Sequence, residues 1–202
     1  GNAAVLKPAE EACLTALAFA ELARRAGLPD GALNVVPGLG TEAGAALSAH
    51  PGVDHISFTG SVAVGKLIQQ AAAGNVVPVT LELGGKSPQL VFEDADVEAA
   101  LPYLVNAGIQ NAGQTCSAAS RILVHCSRYD EVLTGMADRY RALRAGPALD
   151  DHDLGPLVSM RQKEIVQGYL DKGEGLEIAA RGEIVANAPA GGAYLAPVLF
   201  AG

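Results

Sequence analysis

Aromatic side chains are scarce in this chain, and their scarcity limits the fold classes that fit it. Phe, Trp and Tyr make up only 4% of the 202 residues, whereas half of the residues are apolar and glycine occurs 24 times. So few rings do not suit an aromatic-rich β-sandwich. Small apolar residues favour helices packed closely on a sheet, so the composition predicts a globular α/β protein.

Clustered positive charge, long apolar runs and paired cysteines are missing as well. The 14 Lys and Arg residues are scattered and the net charge is −8, which argues against a nucleic-acid surface. No run reaches the roughly 18 to 20 apolar residues of a membrane span, and the N-terminus lacks a signal-peptide pattern. The widely spaced Cys13, Cys116 and Cys126 predict reduced thiols. We therefore expect a cytoplasmic protein without nucleic-acid or membrane partners.

Both ends of the sequence are apolar and extended in character. Residues 1–6 follow the pattern of a buried strand that is already under way, and residues 194–200 form an apolar run that needs a neighbouring strand. Natural domains cover such apolar strands because they are aggregation hazards. The pattern predicts an internal piece of a longer protein.

Strand and helix patterns alternate along the chain. Strand patterns occur near Leu6 and in residues 33–36, 53–58 and 79–83, and helical patterns separate them. This order indicates a parallel sheet with crossover helices, which binds its ligands at the carboxyl ends of its strands. Beyond Gly84-Gly85 the predicted strands are 89–92 and 121–125, the helices are 97–110, 128–143 and 161–172, and residues 182–192 form a loop. The glycine pair predicts a domain junction.

Two turns between a strand and a helix are candidates for binding phosphate. In residues 38–44 the glycine spacing is one residue longer than in the dinucleotide fingerprint, so a plain tight turn is the simpler interpretation. In residues 58–65 a helix N-terminus offers its free N–H groups and the Ser61 hydroxyl to a pyrophosphate. Ser61 could equally cap its own helix, and the residues alone leave both interpretations open.

Cys116 and Glu82 are the candidate reactive groups. Cys116 lies between small residues, where an exposed thiolate is a strong nucleophile, although a lone cysteine is more often a small buried hydrophobe. We interpret Cys13 and Cys126 in that second way. Glu82 ends an apolar strand, where a half-buried carboxylate could accept a proton from water. It could also be a charge on the solvent side of an edge strand.

Taken in order, four segments resemble the aldehyde dehydrogenase superfamily, in its NAD(P)-dependent, hydrolytic form. They are Gly1-Asn2-Ala3-Ala4-Val5-Leu6-Lys7-Pro8-Ala9-Glu10, Phe58-Thr59-Gly60-Ser61, Leu81-Glu82-Leu83-Gly84-Gly85-Lys86 and Gly113-Gln114-Thr115-Cys116. The last two are highly specific, and the resemblance covers essentially the whole chain. It implies an incomplete aldehyde dehydrogenase fold, with a partial Rossmann-like dinucleotide-binding domain in residues 1–84 and part of the catalytic domain in residues 85–202.

The resemblance implies oxidation of an aldehyde to a carboxylic acid. Cys116 would attack the aldehyde carbon to give a thiohemiacetal, hydride transfer would leave a thioester, and Glu82 would activate the water that hydrolyses it. Ile109, Thr115 and Ser117 would line the aldehyde tunnel without selecting an aldehyde class. The full-length protein would be a homodimer or homotetramer. The isolated 202-residue piece would be inactive, because other groups of the family's active site lie outside it.

The resemblance also implies cofactor contacts, which are Lys7, Glu10, Gly40, Gly60, Ser61, Val64 and Leu83. Lys7 and Glu10 would bind the adenosine ribose hydroxyls, and Ser61 would contact the pyrophosphate. Val64 would line the adenine slot, and the Leu83 carbonyl would hold the nicotinamide amide. Glu10 would repel a 2′-phosphate, so we expect NAD, with NADP as a possible second cofactor.

Two alternatives to hydrolytic oxidation are kept. The first is a CoA-acylating or semialdehyde-reducing relative that passes the thioester to another acceptor. The second is an inactive truncated chain that only binds nucleotide or a partner subunit. Glu82 favours hydrolysis, because CoA-acylating relatives usually lack a glutamate at the corresponding position.

Overall fold

The structure is a computed structural model that describes residues 1–173 and 175–202. The backbone forms two compact units, unit 1 (Gly1–Leu83) and unit 2 (Gly84–Gly202). Within the described residues, no helix combines the length and the apolar character needed to cross a membrane.

Unit 1 consists of two β-α-β modules, each with a parallel strand pair. The first comprises β1 (Ala4–Leu6), α1 (Cys13–Arg25) and β2 (Leu33–Val35), with Val5 paired with Asn34. The second comprises β3 (Ile56–Gly60), α3 (Val62–Ala73) and β4 (Val79–Leu83), with Phe58 paired with Leu81. Between the modules lie a π-helical turn (Gly40–Gly44) and the short helix α2 (Ala45–Ser48).

Local sequence signals explain the helix ends in unit 1. Helix α1 follows a 3-10 turn over Glu10–Ala12 and ends before Gly27, whose φ of +94° is a conformation that glycine adopts without steric cost. Helix α3 starts after Ser61, whose hydroxyl accepts a 3.3 Å hydrogen bond from the Val64 N–H. This is an ordinary N-cap, and it fixes the direction in which the chain leaves β3.

Unit 2 combines a parallel strand pair with three helices and two further strand pairs. Strands β5 (Pro88–Val91) and β6 (Arg121–Val124) are parallel. The helices are α4 (Val97–Ile109), α5 (Tyr129–Ala142) and α6 (Met160–Lys172). Strands β7 (Arg144–Ala145) and β9 (Glu183–Ile184) are parallel, whereas β8 (Glu177–Arg181) and β10 (Val198–Ala201) are antiparallel.

The core of unit 2 forms where α4 packs on α5 and α5 packs on β8 and β10. Leu101 of α4 and Val132 and Met136 of α5 are each 2% exposed. The cluster of buried residues comprises Val91, Val97, Leu101, Leu104, Val105, Val132, Met136, Ala137, Tyr140, Leu143, Ala145, Leu154 and Ala180. The loops of unit 2 are therefore attached to a close-packed support.

The predicted α/β class with parallel strand pairs is confirmed. Several details of the prediction are wrong. The predicted loop 182–192 contains β9, and β8 was not predicted at all. In the apolar run 194–200 only the last residues enter β10, because Pro197 has no N–H to donate and its carbonyl instead accepts from Gly182 N at 2.9 Å.

Candidate active site

Cys116 lies on an exposed turn that follows three residues with positive φ values. Helix α4 ends at Ile109, and Asn111, Ala112 and Gly113 then have φ values of +51°, +55° and +76°. A left-handed conformation costs about 1–2 kcal/mol for an alanine and less for an asparagine, so Ala112 keeps it only where other contacts hold the turn. The thiol of Cys116 is exposed, as a nucleophile requires.

Backbone and side-chain hydrogen bonds fix the loop on both sides of Cys116. Ala118 N donates to Thr115 O at 3.1 Å, and Ala119 N donates to Ala107 O of α4 at 3.0 Å. Beyond the turn, the Arg121 guanidinium donates to Lys86 O at 3.0 Å. The hydroxyl oxygen of Thr115 is buried and has no hydrogen-bond partner among the residues that the structure describes.

The other two cysteines differ from each other. Cys13 is partly buried at the first residue of α1, whereas Cys126 is exposed. The interpretation of Cys126 as a small buried hydrophobe is therefore wrong. Strand β6 ends at Val124, and His125 caps a 3-10 turn that starts with Cys126, so this residue has already left the sheet. Exposure alone does not distinguish Cys116 from Cys126.

Glu82 lies on a polar, exposed face of the β3–β4 pair. Its face alternates with an apolar, partly buried face, and Glu82 pairs directly with Thr59 of β3. Ser57 and Thr80 form the preceding pair on the same face. Of the two positions that the sequence left open for Glu82, unit 1 shows the exposed one, because strand alternation directs this side chain away from α3. The carboxylate is accessible to water.

Lys7 and Glu10 form a small charged site where the chain leaves β1. The Lys7 ammonium lies 3.4 Å from a Glu10 carboxylate oxygen, and the other oxygen accepts a hydrogen bond from Gly40 N at 2.6 Å. The hydrogen bonds from the backbone N–H of Glu10 and from the Gly40 N–H, together with the Lys7 ammonium, lower the pKa of the Glu10 carboxyl below its usual value. The group therefore stays anionic at neutral pH and ties the 3-10 turn to the turn that starts at Gly40.

The remaining predicted cofactor contacts lie where β3 and β4 end. Gly60 is the last residue of β3 and pairs with Leu83, the last residue of β4. The Ser61 hydroxyl caps α3. Of its two interpretations, a helix cap or a pyrophosphate contact, the helix cap describes the contact in this structure. Val64 lies in the first turn of α3 with 43% of its surface exposed. The open N-terminus of α3 is thus next to the ends of two parallel strands, where such folds bind their ligands.

Across residues 1–173 and 175–202, no group of three or more His, Cys, Asp or Glu side chains could hold a metal ion.

Comparisons with known proteins identify the family. The family model described as "Aldehyde dehydrogenase family" matches residues 1–202. The chain belongs to the aldehyde dehydrogenase family. A mitochondrial aldehyde dehydrogenase of Leishmania tarentolae is 43% identical, over 99% of this chain and 40% of the relative. The chain therefore spans about two fifths of this relative's length.

Solved structures of the family show the same fold. An aldehyde dehydrogenase of Bacillus cereus in complex with NAD+ is 41% identical, with a TM-score of 0.91 over 98% of this chain and 40% of that chain. A betaine aldehyde dehydrogenase of Staphylococcus aureus, also in complex with NAD+, is 38% identical, with a TM-score of 0.90 over 98% of this chain and 40% of that chain. The predicted family resemblance is confirmed, whereas the roles of individual residues stay predictions.

Proposed function

We propose that this chain carries the nucleophile, the general base and the adenosine site of an NAD-dependent aldehyde dehydrogenase that oxidises an aldehyde to a carboxylic acid. The observation that carries the proposal is the exposed thiol of Cys116, three residues after a left-handed turn, in a chain that matches the family over its whole length. Unfavourable backbone conformations cluster at active sites, where surrounding contacts maintain them.

Cys116 is the proposed nucleophile. Its thiolate attacks the aldehyde carbon, and the resulting oxyanion receives a proton or hydrogen bonds as a thiohemiacetal. Bound NAD would supply the hydride acceptor. When the carbon loses its hydride, its oxygen becomes the carbonyl of a thioester, any proton on that oxygen leaves to solvent, and the carbon–sulfur bond remains. Small neighbours such as Gly113 and Ser117 give the aldehyde carbon access to the sulfur.

Glu82 is the proposed general base for the second half of the reaction. Its exposed carboxylate can remove a proton from a water molecule, whose oxygen attacks the thioester carbonyl and releases the acid and the Cys116 thiol. The proposal requires Cys116 and Glu82 to act on the same acyl group during turnover. A base that acts after hydride transfer favours release of a free acid over transfer to CoA.

Unit 1 is the proposed cofactor-binding part. The charged side chains near β1 suit the ribose of an adenosine, since the Lys7 ammonium can donate to its hydroxyls and the Glu10 carboxylate can accept from them. The Gly40 N–H already holds one carboxylate oxygen, which orients Glu10. The anionic Glu10 repels a 2′-phosphate, so NAD is preferred and NADP is a weaker second cofactor.

The other contacts are proposed at the ends of β3 and β4. Gly60 and Ser61 would approach the pyrophosphate at the start of α3, where unpaired N–H groups favour an anion. Val64 would line the adenine slot, and the Leu83 carbonyl would accept a hydrogen bond from the nicotinamide amide. In the full-length protein we propose a homodimer or homotetramer in the cytoplasm.

The test is NADH formation by the full-length protein in which this chain lies, with a panel of aldehydes. Cys116→Ala is expected to abolish turnover, whereas Cys126→Ala, which removes another exposed thiol, is expected to leave it unchanged. Glu82→Gln is expected to give one burst of NADH per active site without release of acid, because acylation precedes the step that needs the base. Glu164→Gln, at an exposed position of α6, is its control.

Three outcomes would contradict parts of the proposal. Continued turnover by Cys116→Ala would exclude this thiol as the nucleophile. A Glu82→Gln variant that releases acid at the wild-type rate would exclude the proposed base. Acid formation only after addition of CoA would identify a CoA-acylating relative.

A further inference from the structure

Gln114 lies two residues before Cys116 and makes hydrogen bonds through both its side chain and its backbone. Its side-chain Oε1 accepts from Val158 N at 2.9 Å, and its Nε2 donates to Asn111 O at 3.0 Å. Its backbone N also donates to Asn111 O at 3.1 Å, and its carbonyl accepts from the Asn111 side chain at 3.4 Å. One side chain thus closes the left-handed turn and ties it to a residue 44 positions later.

The anchor on the far side is itself held in place. Leu157 is 7% exposed, and its N–H donates to Ala193 O at 2.9 Å. Ser159 caps α6, since its hydroxyl accepts from Gln162 N at 3.1 Å. Val158 therefore lies between a buried residue and a capped helix start, and its N–H is a fixed donor for the side-chain Oε1 of Gln114.

The turn needs such a tether because two of its residues have unfavourable backbone angles. Asn111 and Ala112 both have positive φ values, and an alanine gains nothing locally from that conformation. Without an external contact this segment would relax towards right-handed or extended angles. Relaxation at residues 111–112 would shift Cys116, which follows a few residues later on the same loop.

We infer that Gln114 is a positioning residue for the nucleophile, which holds the Cys116 loop in its left-handed conformation by linking Asn111 to Val158. The inference rests on the proposed role of Cys116. Gln114 acts through the backbone and does not need to contact the aldehyde. Its loss should therefore lower the rate of thioester formation and leave aldehyde binding largely intact, since a misplacement of about 1 Å costs on the order of 100-fold in rate.

The test compares Gln114→Met with Gln89→Met in the full-length protein. Gln89 is a matched control, because its Nε2 donates to a backbone oxygen in the same unit, that of Leu104, at 2.9 Å. Both substitutions remove a hydrogen bond between the side chain and a distant backbone atom, and both keep the length of the side chain. Gln114→Met is expected to lower the rate of the NADH burst by roughly 10- to 100-fold, with KM within about threefold of the wild type.

Gln114→Glu provides a graded second variant. The carboxylate keeps an acceptor for Val158 N but cannot donate to Asn111 O, so half of the tether survives. Its burst rate is expected to lie between those of the wild type and Gln114→Met. If Gln114→Met fails to fold, the same comparison is made with Gln114→Glu and Gln89→Glu.

Hydrogen exchange of the loop supplies a readout that does not depend on activity. The amides of residues 111–118 are expected to exchange at least about tenfold faster in Gln114→Met and at the wild-type rate in Gln89→Met. A burst rate in Gln114→Met equal to that of Gln89→Met, or unchanged exchange in this loop, would overturn the inference. A wild-type protein that forms no NADH would instead refute the proposed function, while the exchange measurement would still test the tether.

Discussion

Unit 1 and unit 2 differ sharply in how they bury apolar side chains. In unit 2, thirteen buried residues form one cluster around α4 and α5. Among the described residues of unit 1, Pro8 and Ala72 are the two apolar side chains that reach the same degree of burial. Unit 1 instead exposes large side chains of its helices, including Leu14 at 78%, Phe19 at 60% and Leu67 at 63%.

The difference indicates two ways of supporting a site. The Cys116 loop of unit 2 is bonded to elements that belong to, or adjoin, a close-packed core. The proposed nucleotide contacts of unit 1 depend on strand ends, a helix N-terminus and the link from Glu10 to Gly40. Such backbone features need correct hydrogen bonding more than dense packing. Substitutions of equal size should therefore have unequal costs in the two units.

The largest expected effect is that of shortening a leucine. Leu101→Ala in α4 is expected to lower the free energy of unfolding by about 2–5 kcal/mol, because it leaves a cavity beside Val132 and Met136. Leu67→Ala in α3 is expected to change it by less than about 0.5 kcal/mol in the 202-residue chain. Urea-induced unfolding, followed by circular dichroism, measures both.

Equal costs for the two leucines in the 202-residue chain would contradict the comparison. The same pair in the full-length protein sharpens it. Any additional cost of Leu67→Ala there measures how much of this side chain is covered by residues outside the chain or by a second subunit.

Helical glycines provide a smaller test of packing. A Cβ on Gly135 in α5 would lie 2.5 Å from a methyl carbon of the buried Leu101, so Gly135→Ala is expected to destabilise by about 1–3 kcal/mol. A Cβ on Gly65 in α3 would lie 2.9 Å from a methyl carbon of Leu83, which is only partly buried and can rotate. Gly65→Ala is therefore expected to be nearly neutral, because the helix propensity gained, about 1 kcal/mol, offsets the contact. Thermal unfolding of both variants checks the difference, and a stabilising Gly135→Ala would show that the core of unit 2 adapts easily.

Sequence patterns identified the features of this fold that depend on neighbouring residues. Gly27 and Ser61 mark helix ends through their own chemistry. Residues 79–83 were predicted as an apolar strand, whereas the alternation that exposes Thr80 and Glu82 comes from the structure. Strand β8 was missed because Ile178, Ala179 and Ala180 do not alternate, and its pairing with β10 is antiparallel.

The conformation of the Cys116 loop could not be predicted from local sequence. Asn111 and Gly113 readily adopt positive φ, but an alanine at positive φ contradicts its intrinsic preference, so a left-handed conformation that includes Ala112 was not predictable. The link from Gln114 to Val158 spans 44 residues and follows no periodic pattern. The family resemblance predicts that Cys116 is the nucleophile, but only the three-dimensional contacts indicate what holds its loop.

The smallest expected effect concerns one residue with a strained backbone in each unit, Val76 in unit 1 and Ala112 in unit 2. Val76 in unit 1 has a φ of +56° and is 89% exposed, an uncommon conformation for a β-branched residue. Val76→Gly is expected to stabilise by about 0.5–1 kcal/mol, since relief of the strain exceeds the entropy that glycine loses on folding. Ala112→Gly in unit 2 is expected to stabilise by a similar amount for the same reason. Thermal unfolding of both variants measures these gains.

The two substitutions should differ in their effect on activity. Val76→Gly relieves strain at an exposed residue of the turn before β4 and removes no side chain of a proposed site, so the NADH burst of the full-length protein is expected to stay unchanged. Ala112→Gly gives the turn before Cys116 access to further backbone conformations, and a more stable protein with a slower burst is the expected result. A burst that is unaffected by Ala112→Gly would mean that the Gln114 tether alone fixes the loop, and that the left-handed angle at residue 112 is a consequence of that tether with no separate effect on catalysis.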